Sequence, residues 1–281
     1  MAKIIGGVGT SHVPAIGAAS DHKKQQDSYW KPVFEGFGPA RDWMKKTNPD
    51  VVILVFNDHA SAFSVELINT FVLGVADEYN PADEGYGRRK VPKVIGNSDF
   101  ASHIAESLVF DEFDIAIANE MDVDHGLTVP LTIMCDEPDE WPCQVIPLCV
   151  NVIKYPQPTG NRCFNLGKAI RKAVESYPED LRVAVFGTGG MSHQLQGERA
   201  GLINSEFDHM FLDSLTADPV KLSKIGHTEY LREAGSEGIE MIMWLIMRGA
   251  LSDDIDEVYR FYHIPVSNTG YGLIVFDDKA A

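Results

Sequence analysis

Three histidines in this sequence stand just past stiff apolar runs. Val51 to Phe56 reads V-V-I-L-V-F and ends in Asn57-Asp58-His59. Ile4 to Val8 leads into Gly9-Thr10-Ser11-His12, and Val183 to Phe186 into Gly187-Thr188-Gly189-Gly190-Met191-Ser192-His193. One imidazole beside a strand is commonly structural. Three with the same placement read as the frame of one site. A metal centre also needs a charged ligand. Glu240 lies inside Ile239-Glu240-Met241-Ile242-Met243-Trp244-Leu245, where a carboxylate is costly unless partnered. A divalent cation is one such partner, and a Lys or Arg is the other. Glu237, three residues earlier, is explained by a position in the first turn of the helix. Two histidines and one carboxylate leave coordination positions open on non-haem Fe(II) and also serve catalytic zinc. Ligand type alone does not choose between the metals.

The elements that must position these groups follow from the hydrophobic pattern. The run Val51–Phe56 suits a strand buried on both faces of a parallel sheet, and ligand sites in open α/β sheets gather at the carboxyl ends of strands. Further strands are expected at Lys3–Val8, Thr70–Val75, Phe113–Ala118, Gln144–Val152, Arg182–Phe186, Glu257–Ile264 and Gly272–Phe276. Pro147 predicts a bulge or an edge in its strand. Helices are expected at Pro39–Lys46, Asn97–Phe110, Cys163–Tyr177, Asn204–Ala217, Pro219–Lys224 and Ser236–Arg248. Ser20–Gln26 reads as a surface loop. Asp77–Pro92 is a long loop of a kind that is often functional, and Met121–Gly126 reads as a turn. This alternation defines an α/β class, a single domain over residues 1–281 with the site at strand ends.

Composition narrows the partners. The 281-residue chain carries a net charge of -17, which argues against nucleic acid or an anionic membrane surface. A carboxylated small molecule remains compatible, because a few local donors suffice to bind it. The four cysteines (135, 143, 149, 163) form no C-x-x-C pattern, so structural zinc is not expected. Without a signal-peptide pattern or a membrane-length apolar run, a reduced, cytoplasmic protein is the expectation.

Longer segments carry a resemblance. T-S-H-V-P-A-I-G (10–17), I-L-V-F-N-D-H-A-S-A-F (53–63), D-V-D-H-G-L-T-V-P-L (122–131), G-T-G-G-M-S-H-Q-L-Q-G (187–197), G-S-E-G-I-E-M-I-M-W-L-I-M-R-G-A-L (235–251) and Y-H-I-P-V-S-N-T (262–269) are ungapped stretches. Together they resemble the LigB-like, type II extradiol ring-cleaving dioxygenases, in particular the catalytic β subunits of the protocatechuate 4,5-dioxygenase type. The resemblance implies a mixed, mostly parallel sheet flanked by helices. It implies Fe(II) held by His12, His59 and Glu240, with O2 as co-substrate. It makes His193 the acid/base and His125 a second active-site histidine near the substrate. It puts Ser267 and Asn268 at the substrate carboxylate. By local pattern alone, His125 would be a turn residue and Ser267-Asn268 a plain β-turn. His22, His103, His209, His227 and His263 receive no function.

The resemblance further implies 4,5-cleavage of 3,4-dihydroxybenzoate to 4-carboxy-2-hydroxymuconate semialdehyde, with gallate or a related catecholic acid as the alternative. Related gallate dioxygenases carry a fused C-terminal region. Its absence before Ala281 leads to the expectation of a small α subunit in trans, in an α2β2 assembly. Two readings from other classes compete. One is a zinc hydrolase on the same His/His/Glu set, and the other is a metal-free binding protein on the same fold.

Overall fold

Alternate residues of one strand show how the layers form. In β2 (Val51–Phe56), Val51, Ile53 and Val55 join one apolar cluster, whereas Val52, Leu54 and Phe56 join another. Successive side chains of a strand point to opposite faces, so this run is buried from both sides, as its unbroken apolar character requires. The structure, a computed structural model, describes residues 1–281.

The other strands are β1 (Lys3–Thr10), β3 (Phe71–Gly74), β4 (Glu78–Tyr79), β5 (Val94–Ile95), β6 (Ala116–Ala118), β7 (Gln144–Val150), β8 (Arg182–Thr188), β9 (Ile255–Val266) and β10 (Thr269–Asp278). Eight of them form one sheet in the order β6-β3-β7-β2-β8-β1-β10-β9, and β4 pairs with β5 apart from it. The central strands β7, β2, β8 and β1 are mutually parallel. Antiparallel β10 and β9 extend one side, and β3 with β6 extends the other. The expected mixed, mostly parallel α/β architecture is what the chain adopts. The carboxyl ends of β1, β2 and β8 therefore share one rim of the sheet, and the three strand-end histidines follow them there.

Helices α1 (Pro14–Asp21), α2 (Lys31–Gly36), α3 (Gly38–Thr47) and α5 (His125–Cys135) lie toward the face that carries Val52 and Leu54. Helices α4 (Ser98–Phe110), α6 (Gly160–Ser176), α7 (Ser205–Ala217), α8 (Pro219–Leu222), α9 (His227–Glu233) and α10 (Ile242–Ala250) cover the other. Side-chain caps start several of them. Asn97 accepts from Phe100 N, Thr159 from Arg162 N and Asn204 from Phe207 N. Helix α10 sits close against the sheet because glycines of β1 and β8 lie beneath it. A Cβ on Gly187 would lie 2.7 Å from Trp244 Cα, and Gly9 likewise faces the Trp244 ring.

Four local expectations need correcting. Met121–Gly126 is not only a turn. Asp124 caps α5 through Gly126 N at 2.8 Å, and His125 is the first helical residue. The apolar run 127–134 is buried throughout, so it offers no amphipathic stripe from which to predict a helix. Pro147 makes no bulge, and β7 is an inner strand between β3 and β2, although locally Pro147 has no partner on the β3 side. The ladder with β3 ends at Leu148, so Pro147 is the first residue past it. Within 236–248 the start is irregular, and Glu240 occupies a 3-10 turn, Gly238–Met241, ahead of α10. Ser20–Gln26 overlaps the end of α1.

Candidate active site

The turns after β1, β2 and β8, the start of α5 and the 3-10 turn before α10 bring His12, His59, His193, His125 and Glu240 into one cavity of about 920 Å³. That volume suits a small organic ligand. Ser267 and Asn268, in the turn between β9 and β10, line the same cavity, as does Glu237. No Lys or Arg does. One nitrogen from each of His12, His59 and His125 can be chosen so that all lie within 4.8 Å of one another. Glu240 Oε2 is 3.3 Å from His12 Nε2 and 4.0 Å from His193 Nε2.

Hydrogen bonds behind the rings decide which nitrogen faces inward. His193 Nδ1 donates to the Met191 carbonyl at 2.7 Å. His59 Nδ1 donates to Asp124 Oδ2 at 2.9 Å, and His125 Nδ1 to Glu84 Oε2. The Thr188 hydroxyl is directed at the Gly126 carbonyl, leaving a lone pair to accept His12 Nδ1–H at 2.9 Å. Each ring thus spends its proton on an outer partner and turns a bare Nε2 to the cavity. Outer hydrogen bonds of this kind fix tautomer and orientation in metal-binding histidines.

A buried cation fits this arrangement. His12 Nε2 is buried without a hydrogen-bond partner, and it faces a carboxylate oxygen. A lone pair and an anion so close need a proton or a cation between them. The Asn57 amide lies 3.0 Å from His59 Nε2, so a ligand role for His59 would displace that contact. Glu240 is fixed by Gly190 N–H at 2.6 Å. Burial would raise the pKa of Glu240, but neighbouring His12, His193 and His59 hold it well below the usual carboxylate range. Burial lowers His12, against the pull of Glu240. The group can therefore offer a divalent ion one carboxylate and several imidazole nitrogens, His59 giving up the proton that Asp124 favours when it binds.

Sequence reading found four of the five principal groups by pattern and His125 only through the resemblance. It missed the residues behind them. Asp124 and Thr188 stood inside quoted motifs, but nothing marked them as hydrogen-bond partners. Glu84 comes from the long loop singled out for its length, without a signal of its own. His227 lines the cavity as well, with Nε2 bonded to the Pro158 carbonyl at 2.9 Å. His103 is structural, bonded to Ala173 O and Ser176 Oγ at the end of α6.

A mostly parallel sheet with histidines and a buried glutamate converging at its strand ends defines an α/β protein with a metal-type site. Residues 6–273 match the family described as the catalytic LigB subunit of aromatic ring-opening dioxygenase, and the chain belongs to that family. It is 44% identical over 200 residues to a gallate dioxygenase of Pseudomonas putida, covering 70% of this chain and 58% of that protein. It is 29% identical over 200 residues to a 2,3-dihydroxyphenylpropionate/2,3-dihydroxicinnamic acid 1,2-dioxygenase of Photorhabdus laumondii, covering 71% and 59%. A second enzyme of that name, from Pseudomonas putida, is 33% identical over 185 residues, covering 66% and 55%. The chain thus spans between 55% and 59% of the length of these relatives. A solved structure of an uncharacterized Escherichia coli K12 protein shares the fold, with a TM-score of 0.60 at 14% identity over 96% of this chain and 99% of that one.

Proposed function

We propose that this chain catalyses extradiol cleavage of a carboxylated catechol with O2, using Fe(II) held by His12, His59 and Glu240. The observation that carries this reading is the approach of His12 Nε2 to the Glu240 carboxylate at 3.3 Å, with His193 Nε2 at 4.0 Å and the His59 and His125 rings beside His12, in one cavity. Bound iron would supply adjacent coordination positions and the electron transfer that lets a diol and O2 react side by side. The chain's residues do the rest. Ser267 and Asn268 hold the substrate carboxylate by neutral hydrogen bonds, since no basic residue lines the cavity. His193 takes a proton from a substrate hydroxyl at Nε2 and later returns it. His125, its proton held at Nδ1 by Glu84, accepts at Nε2 from the second hydroxyl.

Protocatechuate, cleaved at the 4,5 bond to 4-carboxy-2-hydroxymuconate semialdehyde, is the substrate proposed. Gallate is the second reading, favoured by the name of the Pseudomonas putida relative. Ile153, Tyr155, Leu195 and Leu231 line the cavity and are 48%, 78%, 54% and 52% exposed. This apolar rim supports docking of a small α subunit over the mouth.

Oxygen uptake by iron-loaded protein on a panel of catecholic acids, with and without a candidate α subunit, tests the reading. Uptake with protocatechuate and formation of the ring-opened semialdehyde are expected. No uptake with any member of the panel sinks it. Full oxygen uptake with zinc and no iron would falsify the metal, and no uptake at all is what the zinc hydrolase reading expects.

A further inference from the structure

We propose that Glu84 is the positioning residue for His125, fixing its imidazole as the Nδ1–H tautomer and so presenting a bare Nε2 to the cavity. The catalytic consequence rests on the dioxygenase reading. The positioning role does not.

The grip has two points. Glu84 Oε1 accepts the backbone N–H of His125 at 2.9 Å, and Oε2 accepts its ring Nδ1–H. His125 opens α5, so its N–H has no partner inside the helix. The helix cap cannot supply one, because Asp124 is already engaged. It accepts from Gly126 N with one oxygen and from both His59 N and His59 Nδ1 with the other. One planar carboxylate therefore ties the main chain and the side chain of the same residue together, which removes rotation about the bonds between them. Turning the ring over would aim a C–H at the carboxylate and lose a charge-assisted bond.

The loop that carries Glu84 is itself held in place. Ala82 N bonds to Val123 O and Val123 N to Asn80 O, both at 2.8 Å, strapping the loop to the segment before α5. Asp83 Oδ1 accepts from Gly85 N and Gly87 N, shaping the turn around Glu84. Arg88 pairs with Asp122 at 2.9 Å. On its other side the His125 ring stacks on His59, with centroids 4.0 Å apart, and meets His12 edge-on at 5.7 Å. A ring held from behind by Glu84 and flanked by two candidate ligands has one orientation left. A long loop that looked like a connector thus reaches the reaction chamber through one carboxylate.

Glu84→Gln tests this, because an amide has only one acceptor oxygen. If that oxygen serves the backbone N–H, the NH2 faces Nδ1 and selects the Nε2–H tautomer. If it serves Nδ1, the NH2 abuts the backbone N–H. The direct readout is the side-chain ¹⁵N spectrum of metal-free, histidine-labelled protein, with the His125 signals identified by their loss in His125→Phe. Wild type is expected to show a protonated Nδ1 and a bare Nε2. E84Q should show the reverse or a mixture. If E84Q fails to fold, as judged by its melting curve, Glu84→Ala is read in the same way and should show a mixture.

In the iron-loaded enzyme, turnover of E84Q should fall about 10- to 100-fold, as for other outer partners of active-site histidines, with KM little changed. On the His125→Phe background the same substitution should cost nothing further, whereas a purely structural role would still show its cost. A wild-type His125 protonated at Nε2, or a tautomer that neither variant alters, overturns the proposal. The spectra need neither metal nor substrate. The expected tautomers in a protein that consumes no O2 would leave Glu84's role standing and sink the dioxygenase reading alone.

Discussion

At the scale of single residues, the site separates groups that hold from groups that move protons. His193 is bonded at Nδ1 to a carbonyl that cannot give a proton, so only Nε2 is free to exchange one with substrate. His193→Phe should still bind iron and substrate anaerobically, shown by the change in the substrate's absorption, while turnover falls at least about 100-fold. Near wild-type turnover would remove the acid/base role. The pair His59–Asp124 makes a prediction for the metal-free protein. Burial opposes charge on His59, but Asp124 lifts its pKa from 6.5 to about 8. Stability from this shift is complete below pH 6.5 and is lost as pH rises through about 8. Burial would raise Asp124, but His59 lowers it from 3.8 to about 2, so its contribution is complete above pH 3.8 and lost as pH falls through about 2. These shifts describe one ion pair from its two ends. Chelated protein should therefore melt highest between about pH 4 and 6.5. Asp124→Asn should flatten that profile, and a profile it leaves unchanged would exclude the pair as its source.

At the scale of elements, the site depends on how closely α10 and its leading turn approach the sheet. Gly187 and Gly9 make room for Trp244, which donates from Nε1 to the Gly189 carbonyl at 3.1 Å. Gly189 has φ +133°, where a side chain is strained, and a Cβ there would lie 2.8 Å from the Glu240 carbonyl oxygen. Gly189→Ala should push Glu240 off its position. We expect a loss of about 1–3 kcal/mol in stability from overpacking and about 10- to 100-fold weaker iron binding, measured by denaturant melts and metal titration. Retained iron affinity would show that the 3-10 turn tolerates displacement. The helix α5 belongs to the same scale. Its residues from His125 to Met134 are all buried, so periodicity was silent about it, and only the contacts of its first turn reveal why a histidine stands there.

At the scale of the whole molecule, the strands and helices form one α/β unit whose open end is the cavity. No helix is long and apolar enough to cross a membrane. A bound cation would join β1, β2 and the turn before α10, three segments far apart in sequence, and would stabilise the folded state by mass action. At a free metal concentration of 100 times Kd this amounts to about 2.7 kcal/mol. Chelation should lower the melting temperature, and anaerobic Fe(II) should restore it in the wild type but not in Glu240→Ala. Equal melting curves with and without metal would argue against a cation held by these residues.

What the sequence determined by itself was the frame. Unbroken β-branched runs are legible because burial on both faces of a strand demands them, and β2, β8 and the strand-end histidines follow. Glu240 was legible because a carboxylate within an apolar run needs a partner. The residues behind the rings were not legible. A hydrogen bond from His59 to Asp124 or from His125 to Glu84 spans 65 or 41 positions and leaves no local pattern. Helix α5, the place of Pro147 beyond the β3 ladder and the 3-10 turn under Glu240 were likewise decided only in three dimensions. Each depends on which neighbours satisfy the backbone and fill the space, and only the folded chain supplies those neighbours.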